Sequence, residues 1–141
     1  MLLEGRNAVI YGGGGSIGGA VARAFAREGA RVFLAGRTRT SLENVAEEIR
    51  SAGGAAETAV VDALDEKAVD DHADAVAVEA GRIDICFNLI SHGDVQGIPL
   101  VEMAPEDFER PVLTALRTMF LTSRAAARHM IRQGSGGAQV D

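Results

Sequence analysis

Residues 9–20 read Val9-Ile10-Tyr11-Gly12-Gly13-Gly14-Gly15-Ser16-Ile17-Gly18-Gly19-Ala20. A short apolar strand, Asn7 to Tyr11, runs into four consecutive glycines, and a helix opens across Ser16 to Gly19. Four glycines leave no side chain between the backbone and whatever sits above it. The first N–H groups of a helix have no intrahelical acceptor, and the helix dipole adds partial positive charge at that end. Strand, glycine turn and helix N-terminus together form a cradle for a diphosphate. A flexible glycine turn that binds nothing is the competing reading, and the rest of the chain has to decide between them.

Outward from this stretch, strands and helices alternate. The first helix is expected over about Ser16 to Glu28, with Ile17, Val21, Ala24 and Phe25 on one face and Gly29 ending it. Arg31 to Ala35 reads as a second strand. Thr40 and Glu43 offer a capping box for a helix whose apolar stripe is Leu42, Val45, Ala46 and Ile49. A third strand at Glu57 to Val61 leads to a helix at Asp65 to Ala80, stopped by Gly81, and Ile83 to Asn88 forms a fourth strand apolar enough for burial on both faces. Ser91 to Met103 is irregular. Pro105 to Arg110 reads as a short helical turn, and Pro111 marks a kink or a new start for a long helix to Arg132, because proline inside a helix costs about 3 kcal/mol. Ala138 to Val140 begins a fifth strand. Strands separated by helices pair in parallel through right-handed crossovers, so the expected fold is α/β, a Rossmann-type doubly wound sheet, here carried as far as the start of strand five. Residues 1–141 form one domain, and its ligand belongs beyond the C-terminal strand ends, at the switch in strand order.

Composition removes several function classes. The chain has 141 residues, is 47% hydrophobic and carries a net charge of −6, with no cluster of basic residues for nucleic acid. No apolar run approaches the roughly 20 residues of a membrane span, and the N-terminus lacks a signal-peptide stretch. The one cysteine, Cys86, lies in an apolar run and reads as a buried reduced thiol. A cytoplasmic location fits these features. No His/Cys/Asp spacing suggests a metal.

With these elements in hand, the chain resembles the short-chain dehydrogenase/reductase family over nearly its whole length. Leu3-x-Gly5-Arg6-x-Ala8-Val9-Ile10 looks like that family's first strand. Its Gly-x-x-x-Gly-x-Gly motif is occupied by Gly12, Ser16 and Gly18, with Gly14, Gly15 and Ile17 between them. Ser16 replaces the middle glycine, and its hydroxyl can cap the helix or bond a phosphate. Enoyl reductases of the family also place Ser-Ile there, with a longer glycine loop.

The resemblance implies a nicotinamide dinucleotide as cofactor. Members that bind NAD place a carboxylate after strand two, but none occurs between Gly29 and Leu42; Arg37 and Thr38 stand there instead. A guanidinium suits a 2′-phosphate, so NADP(H) is expected over NAD(H). Asp62-Ala63 resembles the pair whose carboxylate bonds the adenine amino group, although a helix-capping aspartate would read the same way. The family's Asn-Asn-Ala-Gly reads Asn88-Leu89-Ile90-Ser91, keeping Asn88 and leaving Ile90 as a backbone contact to the cofactor.

The family's chemistry, hydride transfer between nicotinamide and a carbonyl or alcohol carbon, uses a serine and a Tyr-x-x-x-Lys pair in which the lysine lowers the tyrosine pKa. The chain has one tyrosine, Tyr11, and one lysine, Lys67, and no Tyr-x-x-x-Lys. Ala115 occupies the position where the long helix normally supplies a catalytic asparagine. No catalytic residue is therefore assigned. The expected product is the cofactor-binding part of a longer reductase; the alternative is a non-catalytic dinucleotide-binding module, a sensor or partner subunit. The long helix, Pro111 to Arg132, resembles the family's interface helix and implies a homo-oligomer. His72 is expected on a solvated face among Asp70, Asp71 and Asp74, and His129 in a structural role near a helix end. Ser91-His92-Gly93-Asp94 offers a Ser/His/Asp set on paper, but neighbours on one loop rarely converge as a triad and no Gly-x-Ser-x-Gly elbow occurs. His92 is instead placed at the rim where substrate would sit.

Overall fold

The computed structural model describes all residues from Met1 to Asp141. Five parallel strands lie in the order β3-β2-β1-β4-β5: β1 (Asn7–Tyr11), β2 (Arg31–Gly36), β3 (Ala55–Val60), β4 (Ile85–Asn88) and β5 (Ala138–Val140). The helices between them are α1 (Ser16–Arg27), α2 (Arg39–Ser51), α3 (Glu66–Ala80) and α4 (Pro105–Gln133). Sequence order runs outward from β1 to β3, then crosses back through α3 to β4 on the other side. This is the doubly wound arrangement, with its switch in strand order between β1 and β4.

β1 is central and buried along all its length. Its alternate residues feed the two layers of the core. Val9 and Tyr11 pack toward α3 and α4, with Val69, Ala73, Val76, Leu121 and Ala125. Ala8 and Ile10 pack toward α1 and α2, with Ala22, Leu42, Val45 and Ile49. A strand buried on both faces needs apolar residues at every position, which is what Ala8-Val9-Ile10-Tyr11 supplies.

Several expectations need correction. Ile17 is 69% exposed, because α1 meets the sheet through Gly18, Gly19 and Ala22 instead. Added Cβ atoms there would land on the Gly12 carbonyl at Gly18 and 3.2 Å from Val45 Cγ2 at Gly19, so glycines set the contact of the first turn, while Val21 and Phe25 pack, partly buried, against the core further along the helix. The Thr40–Glu43 capping box does not form: α2 starts two residues earlier, with Thr38 as N-cap, and the Glu43 carboxylate is engaged by the Thr58 hydroxyl and Arg50. These bonds hold that carboxyl below its usual pKa, the Thr58 bond contributing most. Pro111 neither breaks α4 nor starts it; the helix passes through, with Pro105 in its first turn. The missing N–H falls before the buried stretch that begins at Thr118, and continuity of that packed face outweighs the local loss. Asp65, not Asp62, caps α3, its side chain accepting from Ala68 N at 3.2 Å.

His72 also departs from expectation. It turns inward against Tyr11, ring centroids 6.2 Å apart in an edge-on arrangement, and its buried Nδ1 has no hydrogen-bond partner. Burial lowers its pKa. His129 fills a structural role: it is buried, and Nε2 lies 2.9 Å from Asp74 Oδ1, joining α4 to α3. Cys86 is buried and free, and burial pushes its thiol up to about 12. No helix is long and apolar enough to cross a membrane.

Candidate functional site

A cleft of about 280 Å³ opens beyond the C-terminal ends of β1, β2 and β4. The exit of β1 supplies Gly12, Gly14 and Gly15; the exit of β2 supplies Gly36, Arg37 and Thr38 with Ser41 and Leu42 of α2; the exit of β4 supplies Leu89, Ile90 and Ser91.

The β1 exit is pinned by a few backbone bonds. Gly12 N donates to Ala35 O at 2.8 Å, Gly15 N to Gly12 O at 3.0 Å and Gly19 N to Gly15 O at 2.8 Å. The amides of Gly14, Ser16, Ile17 and Gly18 have no backbone or side-chain acceptor in the protein. Four N–H groups at one helix start, next to the positive end of its dipole, are free to receive an anion. The glycines are required by close approach. Gly12 has φ +76°, and a Cβ there would overlap the Leu89 carbonyl; a Cβ on Gly14 would come within 2.8 Å of Ser41 Cβ. Gly15 is the N-cap and Ser16 the first helical residue, so of the two roles expected for the Ser16 hydroxyl it does not take the capping one, and it stands exposed.

At the β2 exit Arg37 is exposed, and it enters none of the chain's salt bridges. Just beyond it, α2 begins. Its first intrahelical bond is Leu42 N to Thr38 O at 3.2 Å, and the Thr38 side chain makes no cap bond. A second helix N-terminus, a guanidinium and the hydroxyl of Ser41 thus stand together at the β2 exit, next to Gly14 of the glycine turn. Ser41 and Leu42 were not among the expected site residues. Their signal is position alone, the first turn of the helix after a strand exit.

The remaining expected residues lie outside this cleft. Asp62 is exposed at the β3 exit, where Oδ1 accepts from Leu64 N at 3.0 Å. Ala63 is a core residue at 3% exposure. Asn88 is buried, and its side chain is engaged inside the protein: Nδ2 reaches Thr118 Oγ1 at 3.3 Å and Thr122 Oγ1 at 3.5 Å, while Oδ1 accepts from Ile90 N at 3.0 Å. Ser16, Ile17 and Gly18 bring their free amides to the cradle but do not form its walls. His92 is exposed on the loop next to Ser91, and its charge helps hold the Asp94 carboxyl low, after hydrogen bonds from Gln96 and the Asp94 backbone. Ala115 sits on α4 one turn before Thr118 and offers no polar side-chain group.

Neither of the two residue types the proton-transfer pair would need is available. Tyr11 is buried and its pKa is raised, chiefly by burial, so its proton is held tightly. Lys67 lies on the exposed face of α3, 2.5 Å from Asp71. No group of three or more His, Cys, Asp or Glu side chains is placed to hold a metal ion.

The family model for short chain dehydrogenase matches residues 6–138. Gluconate 5-dehydrogenase of Gluconobacter oxydans is 36% identical over 134 residues, covering 95% of this chain and 52% of that protein. A metagenomic short-chain oxidoreductase solved in complex with NADP is 34% identical with a TM-score of 0.87, covering 99% of this chain and 63% of that one. NAD+-bound xylitol dehydrogenase superposes with the same TM-score of 0.87 at 30% identity, covering 99% of this chain and 54% of its own. The chain spans about half the length of the curated relatives it matches. With a matching family model across most of its residues and a parallel α/β sheet shared with solved members, this chain belongs to the short-chain dehydrogenase/reductase family, whose members are NAD(P)-dependent oxidoreductases.

Proposed function

We propose that the cleft binds NADP(H) in preference to NAD(H), and that this chain supplies the cofactor-binding part of a reductase interconverting a carbonyl and an alcohol. The observation that carries the reading is that two groups suited to anions stand together: the free amides of Gly14, Ser16, Ile17 and Gly18 at the β1 exit, and the uncommitted Arg37 at the β2 exit. The first group would hold the diphosphate. Arg37, with Thr38 and Ser41, would hold the 2′-phosphate, where an NAD-selective site would need a carboxylate to accept from the ribose hydroxyls. Asp62 Oδ1 is taken by Leu64 N, which leaves Oδ2 for the adenine amino group. Ile90 would line the cofactor's ribose side. Bound there, the nicotinamide would supply the hydride, and the chain's own residues would bind and orient it.

Arg37→Ala is the test. Fluorescence titration should show NADPH affinity falling about 30-fold or more while NADH affinity changes less than about twofold, the pattern of one lost charge-assisted contact. Equal losses for both nucleotides would show that Arg37 does not select the 2′-phosphate.

Ala115, the buried Tyr11 and the Leu89-Ile90-Ser91 sequence favour a second reading, a dinucleotide-binding module without its own catalysis. Both readings expect the chain to show no NADPH-dependent carbonyl reduction, and turnover in a stopped assay with purified protein would contradict them. The exposed apolar residues of α4, Phe108, Val112, Leu113, Leu116, Met119 and Phe120, support assembly into a homo-oligomer through this helix. Sedimentation should show Leu116→Glu shifting the protein to monomer; an unchanged oligomer would exclude this face.

A further inference from the structure

The β4 exit contains a closed polar network that reaches from the middle of α4 to the wall of the cleft. Thr118 and Thr122 are fully buried and one helical turn apart. Thr122 Oγ1 donates to Thr118 O at 2.7 Å, and Thr118 Oγ1 donates to Ala115 O at 3.3 Å. Each hydroxyl has thereby used its one proton, so each meets the Asn88 amide as an acceptor. Asn88 Nδ2 donates to both, at 3.3 Å and 3.5 Å, which fixes the orientation of the amide and turns Oδ1 toward Ile90 N at 3.0 Å. Ile90 is a wall residue of the cleft, and Leu89, between the two, carries the carbonyl against which Gly12 packs.

We infer that Thr118 and Thr122 are positioning residues for the cofactor cleft, acting through the Asn88 amide to hold the backbone at Ile90. The inference rests on the reading that the cleft binds NADP(H). Without the two hydroxyl acceptors, the Asn88 amide is free to turn, Ile90 N loses its fixed partner, and the Leu89–Ser91 wall loosens although no residue touching the cleft has changed. A buried amide with both protons and its oxygen engaged is costly to leave partly unpaired, which is why the network holds one arrangement.

The test is the double variant T118V/T122V, which keeps the side-chain shapes and removes both hydroxyls. Amide hydrogen exchange, measured without ligand, should speed up at Ile90 by about fivefold or more, the loss expected of one buried hydrogen bond, while Leu89 N, held by Tyr11 O at 2.9 Å, exchanges as before. NADPH affinity should fall by a similar factor, and T118S/T122S should restore both. Should the double variant not fold, T118V alone should show the same effect at Ile90, reduced in size. Unchanged Ile90 exchange, or acceleration spread equally over Leu89 and Ile90, would overturn the inference. If the unaltered protein binds no NADPH, the cofactor reading fails, and the exchange comparison still decides the positioning role because it needs no ligand.

Discussion

The exits of β1 and β4 are neighbours in the sheet and face the same cleft, yet they treat their polar groups in opposite ways. At the β1 exit, Gly14, Ser16, Ile17 and Gly18 leave their amides without acceptors. At the β4 exit, Asn88 saturates its side chain on Thr118, Thr122 and Ile90. One is open and able to receive an anion; the other is closed and sets where the wall stands. The two meet where the Gly12 backbone packs against the Leu89 carbonyl with no room for a side chain. Leaving backbone donors unpaired is tolerable only where a ligand or water can reach them. The difference between the exits therefore separates the proposed binding surface from its proposed support.

The sharpest way to break this arrangement is Gly12→Ala. Its φ of +76° and the Leu89 carbonyl both oppose a Cβ, so unfolding in urea should show about 2–4 kcal/mol of lost stability, with nucleotide binding abolished. Gly15→Ala is the contrast. Gly15 has φ −78°, and its nearest neighbour to an added Cβ is Gly12 O at 3.4 Å, so only the N-cap preference is lost and stability should fall by no more than about 1 kcal/mol. Equal losses at both positions would mean that the loop depends on glycine in general and not on the contact with Leu89.

A smaller effect is expected beneath the loop, where His72 packs against Tyr11, the last residue of β1. Burial lowers the folded pKa of His72, so the unfolded chain binds the proton first as pH falls. This contribution to stability is intact above the unfolded pKa of about 6.5 and is lost as pH drops below it toward the depressed folded value. His72→Phe should flatten the dependence of melting temperature on pH between about 7 and 5. A variant with the same acid slope as the parent would show that His72 is not its source.

Much of the fold is legible in the sequence where packing uses large apolar side chains. Leu42, Val45, Ala46 and Ile49 repeat at helical spacing, and all four are buried. The same rule misplaces Ile17, because the first turn of α1 packs through glycines and a glycine carries no hydrophobic signal to count. Pro111 misleads for a different reason: the local cost of a proline says nothing about the length of packed helix on either side. In the cleft, residue type points to Gly12 and Arg37 because each has a special capability, φ > 0 in one case and a fixed charge in the other. Ser41, Leu42 and Leu89 line it only through where the chain leaves the strands, which composition does not reveal. Asn88, at the end of β4, reads as a contact from the family motif it resembles, whereas its buried partners lie 30 and 34 residues away on α4. Two threonines at i and i+4 on one helix, opposite a strand-end asparagine, were the available clue.

The most direct measurement is an NMR titration of the isotope-labelled chain with NADPH, followed at single amides. The account predicts large shifts at Gly14, Ser16, Ile17 and Gly18, a further shift at Arg37 that NADH does not reproduce, and an unmoved side-chain amide of Asn88. Nucleotide binding that leaves the Gly14–Gly18 amides where they are, or no binding at all, would contradict it.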